Sequence, residues 1–142
     1  MRRIVMMGML LVAACSGPPP VTYAPPGQDA VGKEFNPPPP GMAAVYFYNP
    51  TNNGPAINVT VGPMVIGRLA PVSWMRVELA AGWHAISCTT ANSANPSSIT
   101  VAPGQIRFID IEMPPGSAVC SIREASPEAG RAGVLAGQRT MQ

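Results

Sequence analysis

From residue 43 onward the chain is written in short apolar runs cut by turn residues. Residues 43–48 are apolar at every position, the pattern of a strand buried on both faces and so central in a sheet. Asn49-Pro50-Thr51-Asn52-Asn53-Gly54-Pro55 is a turn. Residues 56–61 alternate, with Ile57, Val59 and Val61 on one face and Asn58 and Thr60 on the other. Gly62-Pro63 breaks that strand, and residues 64–69 form a short one that Gly67 could bend. Residues 73–79 alternate again, with Met75, Val77 and Leu79 inward. Ala81-Gly82 turns into a strand over 83–90, and a polar loop over 91–97 leads to a short strand at 98–101. Pro103-Gly104 turns into 105–113, and Pro114-Pro115-Gly116 into 118–124. Within 105–113 the phase slips between Phe108 and Ile109, which predicts either a bulge or burial on both faces. Ser126 and Pro127 form a helix start, followed by a short helix ending near Leu135. The predicted fold is all-β, a small antiparallel β-sandwich of seven or eight strands with a short C-terminal helix.

Composition agrees. Pro and Gly together make 32 of 142 residues, which argues against a helical bundle. Aromatic and β-branched residues concentrate after Pro40, so the sandwich is placed at 41–125, with the helix and tail at 126–142. Residues 16–40 hold nine prolines in 25 residues and little that could build a core. This predicts a disordered, polyproline-rich tether, with a fully extended reach of roughly 75 Å at about 3.1 Å per residue. A ligand for a proline-binding groove is the alternative use of such a segment.

The N-terminus has a leader pattern. Arg2 and Arg3 precede an 11-residue apolar run, 4–14, too short for the roughly 20 residues that cross a bilayer. The run ends in Val12-Ala13-Ala14-Cys15, which resembles the lipobox of bacterial lipoprotein precursors. The resemblance implies removal of residues 1–14 and acylation of the Cys15 thiol. The bilayer is then the first partner, held through two or more acyl chains at about 0.8 kcal/mol per buried CH₂. Ser16 after the cysteine favours the periplasmic face of the outer membrane. An ordinary secretory signal, with Cys15 a chance thiol, is the competing reading. Without the leader, seven basic residues balance seven acidic ones, so no basic patch points to nucleic acid.

A second resemblance spans Met42 to Arg131. Ala44-Val45-Tyr46-Phe47-Tyr48-Asn49-Pro50, Ile66-Gly67-Arg68-Leu69, Leu79-Ala80-Ala81-Gly82-Trp83-His84, Val101-Ala102-Pro103-Gly104-Gln105 and Glu128-Ala129-Gly130-Arg131 follow one another in order. Together they resemble the bacterial lipoprotein family known as domain of unknown function 2846, whose members are similar to PEGA-type sandwiches. The resemblance implies an envelope-facing sandwich and no established activity. Cys88, Cys120 and the long proline segment depart from it.

Chemistry is sparse. With Cys15 acylated, Cys88 and Cys120 remain as a pair in an oxidising compartment. A disulfide is expected, with two packed free thiols as the alternative. His84, the single histidine, has no patterned nucleophile or acid and is read as a packing or turn-capping residue. Asp110 and Glu112 share a strand face, read as solvated rather than as an acid–base pair or calcium site. Asn58-Val59-Thr60 matches a glycosylation acceptor by chance. No catalytic residue, metal site or cofactor is expected. Most aromatic residues are assigned to the core. Trp74, out of phase with Met75, Val77 and Leu79, is the candidate exposed contact. The chain is thus read as an envelope interaction module for a protein or glycan, with a small ligand held between the sheets as the other possibility.

Overall fold

A computed structural model describes Gly17 and residues 19–142. Cys15, residues 1–14 and the leader expectation lie outside the described residues. Among the described residues, nine strands and two helices follow in the order α1 (Pro26–Gly32), β1 (Met42–Asn49), β2 (Ile57–Val61), β3 (Met64–Leu69), β4 (Ser73–Ala80), β5 (Gly82–Thr89), β6 (Ala94–Val101), β7 (Ile106–Glu112), β8 (Ser121–Ala125), α2 (Pro127–Ala136) and β9 (Gln138–Arg139). They form a five-stranded sheet, β8-β7-β1-β4-β9, packed on a four-stranded sheet, β3-β2-β5-β6. The sandwich is therefore all-β with a short C-terminal helix. It is not wholly antiparallel: β1 runs parallel to β7, and β4 parallel to β9.

Alternation along β1 explains the layering. Ala43, Val45 and Phe47 enter the space between the sheets with Ile57, Val59, Met75 and Ile111. Ala44, Tyr46 and Tyr48 point the other way, into a second cluster with Trp74, Phe108 and Val134. The second cluster lies beneath α2 and the segment before β1, so the five-stranded sheet is buried on both faces. That settles the phase slip in β7. Its burial on both faces, with Phe108 in one cluster and Ile109 and Ile111 in the other, accounts for the pattern. The register shift falls elsewhere, in β2–β3 between Val59 and Thr60, beside Gly67.

This covering layer corrects two expectations. The proline-rich segment is not a disordered spacer over its described length. Tyr23 bridges Thr140, α1 forms, and Phe35 packs on Tyr46 and Phe108 with ring centroids 5.3 and 5.9 Å apart. Phe35 has φ +55°, a left-handed conformation held by these ring contacts and by Arg131 stacked at 4.9 Å. Trp74, in turn, is fully buried rather than exposed. Its Nε1 donates to Asp29 Oδ1 at 3.2 Å, and Arg139 stacks on its ring at 5.5 Å. The exposed tryptophan is Trp83, at 67%.

The helix α2 starts as the sequence reads it, with the Ser126 side chain accepting from the Ala129 N–H at 3.2 Å. Its glycines, Gly130 and Gly133, lower helix propensity but allow close approach to the sheet. A Cβ at Gly130 would overlap the Phe108 ring, and one at Gly133 the Tyr48 ring. Propensity alone makes Gly→Ala favourable by about 1 kcal/mol. Here overpacking reverses the sign: Gly133→Ala is expected to cost about 1–3 kcal/mol in a urea titration.

Candidate functional site

The sandwich leaves one flank open, where β3 ends one sheet and β4 nearly ends the other. A groove of about 1000 Å³ runs between them. Its apolar wall is Val61, Met64, Val65 and Ile66 from the β2–β3 hairpin, with Val77 and Leu79 from β4. Pro37, Pro38 and Pro39 close one end, and Arg76, Glu78, Arg139 and Gln142 supply polar groups. Met64 and Val65 are 65% and 64% exposed.

The β4 edge is open because β9 is only two residues long and covers Ser73 and Trp74 alone. Val72 and Trp74 accept at their carbonyls from the Gln138 and Thr140 N–H groups, at 3.1 and 2.9 Å. Alternate residues of a strand present their peptide groups to the same side, so Arg76 and Glu78 also face the groove. The Arg76 carbonyl accepts from the Gln142 side-chain amide at 2.6 Å. Glu78 continues the edge below it. An extended segment laid along the groove would find main-chain donors and acceptors on β4 and apolar contacts on the hairpin.

Asp29 holds the upper end of this flank together. Its Oδ1 accepts from the Arg139 N–H at 2.7 Å and from Trp74 Nε1, and its Oδ2 pairs with Lys33 at 2.7 Å. Burial pushes the Asp29 carboxyl up, but the bonds from Lys33, Arg139 and Trp74 and the Lys33 charge hold it below the usual carboxylate range. A hydrogen bond and charge from Arg107, opposed by partial burial, likewise hold Glu124 down. A carboxyl lowered in the folded state contributes stability above its unfolded pKa and loses it as pH falls through the folded one. The urea midpoint is therefore expected to fall as pH drops below about 4. Asp29→Asn should lose less between pH 6 and 3 than the parent; an equal loss would exclude Asp29 as a source.

The remaining candidates separate. Cys88 and Cys120 are bridged, with Cα atoms 6.2 Å apart, so the disulfide joins β5 of one sheet to the approach to β8 of the other. His84 Nε2 lies 2.7 Å from the Ala80 carbonyl, a bond that caps the β4–β5 corner. Asp110 is buried rather than solvated. Its Oδ2 accepts from Arg123 at 2.7 Å, while Oδ1 has no hydrogen-bond partner among the described residues. Burial, then the Asp110 charge, raises the nearby Tyr48 hydroxyl. Glu112 also takes Arg123, at 3.2 Å. Among the described residues no three His, Cys, Asp or Glu side chains group as metal ligands, and no helix is long and apolar enough to cross a membrane.

No family model matches the chain, and no curated protein matches it. Among solved structures it is similar to the N-terminal domain of AlgF from P. aeruginosa, at 19% identity over 63% of this chain and 99% of that one. The TM-score is 0.37.

Proposed function

We propose that this protein is a lipid-anchored interaction module of the bacterial envelope, held at Cys15 and binding another envelope component as an extended segment in the β3–β4 groove. The main-chain edge at Glu78, unpaired among the described residues, carries the reading, because such an edge beside an apolar wall fits a polypeptide in extended form. The leader pattern, the lipobox resemblance and the resemblance to domain of unknown function 2846 support the compartment. A ligand between the sheets has less support, since side chains fill that space from Ala43 to Cys120.

Two measurements test it. A palmitate analogue fed to cells should label the protein, and Cys15→Ser should abolish the label; an unlabelled parent would remove the anchor. A photo-crosslinking residue at exposed Glu78 should capture one discrete partner, whereas the same residue at exposed Leu135 on α2 should not. Adducts from Leu135 with none from Glu78 would remove the groove.

A further inference from the structure

The two layers of the sandwich differ in charge. Residues 57–72 and 81–101, which build the four-stranded sheet, contain no aspartate or glutamate, and Arg68 is their one permanent cation. All seven acidic residues lie in the five-stranded sheet or the helical layer over it. The helical layer covers the outer face of the five-stranded sheet, whereas among the described residues no helix covers the outer face of the four-stranded one. Its exposed side chains follow from the register. Thr60 bonds the Ser87 hydroxyl across the strands, Val65 stands beside Thr60, and Trp83 stands beside Thr100. The face is thus a neutral field of hydroxyls with Val65 and Trp83, two of the most exposed large apolar side chains among the described residues, along one end, while Met64, paired with Val61, turns to the groove.

The chain leaves the domain beside this face. Thr22 accepts from the Met141 N–H at 2.9 Å, Ala24 donates to the Arg139 carbonyl at 2.9 Å, and Arg68 donates to the Pro19 carbonyl. Arg68 neighbours Leu69, whose side chain points into the core, so Arg68 projects from the outer face. Cys15 is four residues before Pro19, a span of at most about 14 Å when fully extended. A lipid on Cys15 therefore brings the bilayer to this side of the domain.

We infer that the outer face of the four-stranded sheet lies on the bilayer surface, with Val65 and Trp83 entering the headgroup region. The inference rests on the proposed anchor at Cys15. Tryptophan suits that depth because its ring is apolar and its N–H stays hydrated. The segregation of acids to the far layer removes repulsion from anionic lipid, and Arg68 adds attraction. The flank groove then opens sideways, along the membrane plane.

The test supplies the anchor chemically. The chain from Cys15 to Gln142 has one free thiol once Cys88 and Cys120 are bridged. It can be coupled to a maleimide-headgroup lipid in vesicles of phosphatidylethanolamine and phosphatidylglycerol. Trp83 emission should shift to the blue, become shielded from iodide and be lost when the acyl chains are brominated. Trp83→Phe leaves buried Trp74 as the control and should abolish all three changes. Val65→Glu, at an exposed position beside Thr60, should restore iodide access while circular dichroism stays unchanged. Trp83 emission equally bright in brominated and ordinary vesicles and open to iodide would overturn the inference. So would shielding of Trp83 by soluble cell-wall glycan without quenching by brominated lipid. Because coupling replaces acylation, failed palmitate labelling in cells leaves this result standing. A failure here alongside positive labelling removes only the orientation.

Discussion

Replacing Cys88 and Cys120 together by alanine is expected to lower stability by about 3–4 kcal/mol, from a closed loop of 32 residues. The bridge spans the two layers. Cys88 lies on β5 of the four-stranded sheet, and Cys120 directly precedes β8, at the edge of the five-stranded one. Both sulfurs belong to the inter-sheet core, so the double alanine also leaves a small void. For a domain whose whole stability is about 5–15 kcal/mol, such a loss brings unfolding near physiological temperature. A urea titration of the oxidised parent, the reduced parent and the double variant checks it. The reduced parent should sit near the variant. A double variant within about 1 kcal/mol of the oxidised parent would contradict the loop-closure account.

Trp74→Ala should cost about 3–5 kcal/mol. The ring lies between β4 and the proline-rich segment that carries α1. A Cβ on Gly32 would overlap it, and Gly137 approaches its other side. Truncation opens a cavity under α1, removes the Trp74 Nε1 bond to Asp29 and frees Arg139 from its stacked position. The loss therefore spreads to residues 22–40 and 138–142 before it reaches the sandwich. Limited proteolysis should cut Trp74→Ala within residues 22–40 while the disulfide-linked core persists. Trp74→Phe keeps most of the packing and should fall between parent and alanine variant. Uniform digestion of Trp74→Ala, with no early cut in that segment, would show that the helical layer and the sandwich unfold as one.

Much of the sandwich is legible in its alternation. Residues 43–48 read as a central strand because both of their faces are apolar, and β1 lies third of five. The bounds of β3 and the Ser126 cap are legible because Gly, Pro and Ser mark them with local chemistry. The parallel β1–β7 pair is not, since period-two patterning fixes a strand's faces and leaves its neighbour open. Proline content hid α1: nine prolines in 25 residues outweighed the signals of Asp29 and Lys33 at helical spacing and of the isolated Tyr23, Val31 and Phe35. Without that layer, the outward phase of Trp74 reads as pointing to solvent. Composition does not single out Trp83, whereas its register against Thr100 turns it outward. The groove depends on β9 stopping after two residues, which no local motif announces.

The position of β1 has a kinetic consequence. Its neighbour on one side, β4, follows within about thirty residues, but the other, β7, begins at Ile106, and β9 completes the far edge only at Gln138. Contacts at such separations close slowly. A chain emerging N-terminal end first cannot finish this sheet until Gln138 is out, so it remains an open thread through most of its synthesis.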